Sequence, residues 1–220
     1  NFNPWNTKPS KTAPALVSVS QIPRKRSCTV SWRKALKRGC ASEIQKLAEA
    51  NSELCQQTIE GSGGQLGLHL LCMYRHCEAA LVLLEMYSGA ASIATTNNQF
   101  PLHLLAQSPS SSAATSESDR FDTADAIQLV KQLIKLNPRA LTMRDNYGFL
   151  PIHHAIYSEA EASILQVLVD ANPATPSQVV EASRGEFNGC TPLHMLCFRQ
   201  RACPRSVGIL IKAYRGGAGR

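Results

Sequence analysis

Acidic residues are missing from the first 42 positions. Lys8, Lys11, Arg24, Lys25, Arg26, Arg33, Lys34, Lys37 and Arg38 stand there, with no Asp or Glu before Glu43. The whole-chain charge of +7 therefore belongs to the leading segment, which holds nine of the 23 basic residues and leaves 14 against 16 acids in the rest. By charge, the main body is not a nucleic-acid-binding surface. Any apolar run near the roughly 18 residues a bilayer-spanning helix needs is also missing. The best, Ala79 to Leu84, is far shorter, and no secretory apolar core lies near the start. Three catalytic signatures are lacking: a Gly-x-Ser-x-Gly elbow, a His-Glu-x-x-His pair and a phosphate loop ending in Gly-Lys-Ser/Thr. Gly61-Ser62-Gly63-Gly64 is glycine-rich, but no strand precedes it, and it sits where a turn between repeats belongs.

What the chain does contain is repetition. Asn188-Gly189-Cys190-Thr191-Pro192-Leu193-His194 reads as a turn followed by a helix start. The Thr191 hydroxyl can cap, and Pro192 suits the first helical position, where its missing N–H costs nothing. The same frame recurs as Phe100-Pro101-Leu102-His103 and Leu150-Pro151-Ile152-His153, and in worn form as Leu66-Gly67-Leu68-His69. Amphipathic helices follow: Ala79 to Met86, Ala126 to Leu136, Ala162 to Ala171 and Ser206 to Tyr214. Ile127, Val130, Leu133 and Ile134 are expected to point inward, as are Ile164, Leu165 and Leu168, and Val207, Leu210 and Ile211. Upstream, Ser31 to Leu36 and Ala41 to Ala48 read as two short helices broken at Gly39, with Ile44, Leu47 and Ala48 on one buried face. Two of the long helices end on Leu136-Asn137-Pro138 and Ala171-Asn172-Pro173, and the segment over 41–52 ends on Ala50-Asn51-Ser52. There Asn is expected to take the left-handed conformation that closes a helix. Short turns carrying Gly, or Asn in its place, then lead to the next helix start.

On these residues, with Asp145-Asn146-Tyr147-Gly148 before the third helix start, the chain resembles the ankyrin repeat family. The resemblance covers about 32–214. It implies an all-α fold: a short right-stacked solenoid of about four helix-turn-helix ankyrin-like repeats with an N-terminal partial repeat. The units are approximately 32–60, 61–94, 95–144, 145–185 and 186–215. Spacings between the motif histidines His69, His103, His153 and His194 are 34, 50 and 41 residues, with the excess over the family period of about 33 placed in loops. A flexible basic leader over 1–30, holding Pro4, Pro9, Pro14 and Pro23, precedes a repeat domain over 31–215, and 216–220 form a tail. The Ser-rich insertion 107–123 is expected to be disordered. Its serines invite a phosphorylation switch, against the plainer reading of an inert loop. Pro23-Arg24-Lys25-Arg26 could belong to a nuclear signal, and an acid-poor, Ser-rich leader also fits an organellar transit peptide. A solvated tail is the simpler reading.

The eight cysteines are read as buried and reduced, since Cys72 and Cys197 stand three residues after His69 and His194, where a small apolar side chain packs between helices. That points to a reducing, intracellular setting, the cytoplasm being the simplest. Cys190, His194, Cys197 and Cys203, or His69, Cys72, His76 and Cys77, could tempt a zinc assignment. The resemblance instead commits the motif residues His69, His103, His153, Thr191, Pro192 and His194 to structure. No metal or cofactor is expected.

In ankyrin arrays, partners contact the turn tips and the exposed face of the first helix. Carried onto this chain, that implies partner-binding by Tyr74, Tyr147, Phe149, Tyr157, Phe187, Asn188, Phe198 and Arg199, with Met73, Asn97, Gln99 and Asn146 beside them. Six of the 13 aromatics fall there. The expected function is a non-catalytic scaffold binding a peptide or protein on its concave face. The alternative is a regulatory or targeting domain of a larger enzyme or channel. Nucleic acid is not an expected partner, except weakly through the basic leader. The last helix has no obvious polar capping unit after Tyr214, so the chain is expected to be a fragment or a domain of something larger.

Overall fold

The computed structural model describes residues 22–107, 123–182, 186–198 and 203–217, and its regular structure is helical throughout. Ten α-helices run in chain order: α1 Ile22–Arg38, α2 Ala41–Ala50, α3 Gly67–Met73, α4 Cys77–Met86, α5 Pro101–Gln107, α6 Thr123–Leu136, α7 Pro151–Tyr157, α8 Ala162–Ala171, α9 Pro192–Phe198 and α10 Pro204–Gly217. They pack in pairs, α1 on α2 through α9 on α10. The pairs form two rows: α1, α3, α5, α7 and α9 touch in succession, as do α2, α4, α6, α8 and α10. Among the described residues no helix is long and apolar enough to cross a membrane.

Helix α8 shows why the chain stacks. Its apolar residues come in adjacent pairs, Ile164-Leu165 and Leu168-Val169, so the buried stripe is wider than one neighbour can cover. Ile164 and Leu168 join a core that runs back to Trp32, whereas Leu165 and Val169 join a second that runs on to Leu210. One helix thus serves two neighbours, α6 before it and α10 after it.

Several expectations change in contact with the structure. The segment read as a leader is helical from Ile22, and the tail is helical as far as Gly217. The Ser-rich insertion lies, except at its ends, outside the described residues, as does residue Arg199. The closing asparagines are not left-handed: Asn51, Asn137 and Asn172 have φ of −152°, −141° and −146°. A following proline drives the residue before it into extended backbone, which settles Asn137 and Asn172. The Asn51 and Asn172 side chains instead accept the N–H two residues on, from Glu53 and Ala174. Ile211, expected inward, is exposed, and so are Cys40, Cys197 and Cys203 among the cysteines expected to be buried, although Cys72, the counterpart of Cys197, is buried. The seven described cysteines are free thiols. Gly67, where the other copies have Pro, faces a neighbour directly: a Cβ there would sit 3.1 Å from Trp32 Cζ2 and 3.2 Å from Leu36 Cδ2.

Candidate interaction surface

Four histidines do the same local job. Nδ1 of His69, His103, His153 and His194 accepts the backbone N–H three residues earlier, from Leu66, Phe100, Leu150 and Thr191, at 3.0–3.2 Å. An Nδ1 that accepts carries no proton, so the hydrogen is on Nε2. In the first three, Nε2 then donates to a carbonyl further along the chain: Ile93 and Met143 at 3.0 Å, Gln178 at 3.1 Å. Each ring ties a helix start to the segment leading into the next unit. Burial favours the neutral ring and lowers the pKa of His69, His103 and His153 to about 4. Both nitrogens of these rings are spent on backbone, leaving no lone pair for a metal. His194 is exposed.

The turns before these helices share a register. The residue five before each motif histidine has positive φ: Gly64 77°, Asn98 58°, Gly148 77° and Gly189 75°. Successive tips bond main chain to main chain, through Thr96 N–H to Gly63 O, Asn146 N–H to Asn97 O, and Glu181 N–H to Gly148 O. Gly148 is held tightest, for a Cβ there would lie 2.2 Å from the Glu181 carbonyl oxygen. Between them sits a buried polar knot. Asp145 Oδ1 accepts the N–H groups of Tyr147 and Phe149, while Oδ2 accepts Gln99 Nε2 at 3.0 Å and His154 Nε2 at 2.9 Å. Burial alone would raise the Asp145 pKa, but the bonds from His154 and the Phe149 N–H overcome it and hold the carboxylate below its ordinary value. Arg144 reaches the other way, donating to Val179 O and Gly148 O and pairing with Glu181 at 2.8 Å.

On this rigid base stands an aromatic row. Phe149 meets Tyr157 edge to face at 6.4 Å, Tyr157 meets Phe187 at 6.1 Å, and Phe187 meets Phe198 at 5.7 Å. Phe149 also lies 5.3 Å from the His154 ring, so the row is anchored on the polar knot. Phe149 and Phe187 are half-buried, whereas Tyr157 is 48% and Phe198 71% exposed. Tyr157 and Phe198 end α7 and α9, Phe149 and Phe187 lie in the turns, and Asn188 is exposed beside Phe187.

Of the residues expected to bind a partner, the structure therefore gathers Phe149, Tyr157, Phe187 and Phe198, with Asn188 at the edge. Tyr74 is exposed but pairs with His76, at 6.1 Å, rather than with the row. Tyr147 is exposed at a turn tip and joins no ring of the row among the described residues. Met73 is half-buried. Asn97 and Asn146 are exposed, yet Asn97 O and the Asn146 side chain are committed to tip-to-tip bonds. Gln99 is buried against Asp145, out of reach of a partner. The supporting roles of His154, Asp145 and Arg144 were not read from sequence. Asp145, eight residues before a motif histidine, was the available signal. The sequence matches no family model and no curated protein.

Proposed function

We propose that the protein is an ankyrin-like repeat solenoid that binds a protein or peptide without catalysis, across the concave face of its last two repeats. The aromatic row Phe149–Tyr157–Phe187–Phe198 is the observation that carries this reading. Exposed aromatics on a preformed surface are strong anchors, because few rotamers are lost when a partner arrives. The row crosses from α7 to α9, so one extended partner would touch two units at once. Beneath it the Asp145 knot and the histidine ties leave little freedom to lose.

The test is a comparison of wild type with Tyr157→Ala/Phe198→Ala in a pull-down from native extract, followed by affinity measurement on purified partners. Both side chains are exposed, so helical content by circular dichroism should not change. At least one partner held by wild type is expected to lose about 10–100-fold in affinity. Equal capture of every protein by both forms would remove the row from the function.

A further inference from the structure

Helix α1 holds seven Lys or Arg among its 17 residues and no acid. Trp32, Ala35 and Leu36 are buried, while Arg33, Lys34, Lys37 and Arg38 are all exposed. At about 100° per residue, these four cations share an arc of about 140° facing away from the buried three. Among the described residues, little answers them. Arg33 donates to the carbonyl of Glu60, and Arg38 lies 3.9 Å from the exposed Glu43. Arg33/Lys37 and Lys34/Arg38 are like-charge pairs four residues apart, which work against the helix. Lys37 and Arg38 sit in the last turn, where the helix dipole offsets part of that cost. One turn upstream Thr29, Val30 and Ser31 are all exposed.

We infer that α1 is a docking helix for duplex nucleic acid, gripping phosphates without regard to base sequence. The charge calls for a polyanion. The exposed arc of a helix about 10–12 Å in diameter can face into a DNA major groove about 12 Å wide. A single strand would want exposed aromatics to stack its bases, and Trp32 is buried. A bilayer surface would want a free apolar stripe, and in the described part of α1 that stripe is spent on Trp32, Ala35 and Leu36 inside the fold. Beyond residue 42 the chain carries 16 acids against 14 bases, so it adds no attraction and the grip is confined to this end. The basic helix and the aromatic row sit on different units, α1 in the first and the row in the last two, so the two partners could be held together.

Binding of the full chain to a labelled mixed-sequence duplex of about 20 base pairs, read by fluorescence anisotropy at several salt concentrations, tests this. Four phosphate contacts predict a slope of log K against log salt of about −3 to −4, a loss of roughly 10²-fold between about 50 and 200 mM. Lys34→Gln/Lys37→Gln/Arg38→Gln is expected to flatten that slope by about 2 to 3, equally for duplexes of different sequence. Tyr157→Ala/Phe198→Ala is expected to bind duplex as wild type does. Three results would overturn the inference: no duplex binding by wild type at about 50 mM salt, an unchanged slope in the triple variant with its helicity intact, or tighter binding to phosphatidylserine vesicles than to duplex at equal phosphate.

Discussion

A neutral imidazole with both nitrogens bonded to backbone is a fastener whose strength depends on pH. His69, His103 and His153 are held so, and their pKa values fall to about 4, chiefly through burial. Unfolding releases them to an ordinary value of about 6.5. Between these limits the unfolded chain binds more protons than the folded one, so stability rises with pH across that window. Their contribution is complete above about pH 6.5 and is lost as pH falls toward 4, at a cost on the order of a few kcal/mol for each ring. Asp145 adds a loss at still lower pH, because its folded pKa is depressed. Urea midpoints measured from pH 7 to pH 4 should therefore fall steadily, and His103→Gln should fall less steeply over the same range. A wild-type midpoint that stayed level from pH 7 to pH 5 would mean these rings are not held neutral.

At the scale of the helix, stability rests on apolar faces shared between neighbours. Leu133 of α6 and Leu168 of α8 are both almost wholly buried in the longer core. Truncation of either to Ala leaves a cavity that packed helices can only partly close, and is expected to cost about 2–5 kcal/mol in thermal or chemical melts. Unchanged melts for both would contradict the register of α6 and α8. That register was legible in the sequence because apolar spacing reports directly on burial: α8 runs over Ala162–Ala171 as its pattern indicates. The start of α1 was not legible, since Ile22 to Ser31 has basic residues in place of an apolar period. The asparagine ends misled for a local reason, the proline that follows two of them. For the candidate surface, Phe149, Tyr157, Phe187 and Phe198 could be placed by their distance from the motif histidines. The knot under them could not, because Gln99 and Asp145 are 46 residues apart and meet only when the turns stack. Exposure of Ile211 and Cys197 was missed in the same way, since a helical pattern names a face without saying whether anything covers it.

Across the whole molecule the cores are unequal. The larger spans α1 to α8, and the smaller joins α7 and α8 to α9 and α10. They meet in one pair of helices, where Ala155, Ile164 and Leu168 face one way and Ile156, Leu165 and Val169 the other. In a linear stack each unit depends on its nearest neighbours, so damage is expected to spread only as far as shared faces carry it. Met195 of α9 is buried in the smaller core, away from α1 to α6. Hydrogen exchange on Met195→Ala should therefore show faster exchange in α9 and α10, a smaller rise in α7 and α8, and no change in α3 to α5. The aromatic row lies on the smaller core, against which both Phe149 and Phe187 pack, and it links α7 to α9. A partner lying along it would clamp the looser end onto the firmer one, and at about 100 times its dissociation constant would restore about 2.7 kcal/mol of the lost protection. If exchange in Met195→Ala instead rose equally from α1 to α10, the chain would open as one unit, and the smaller core beneath the row would be no weaker than the rest.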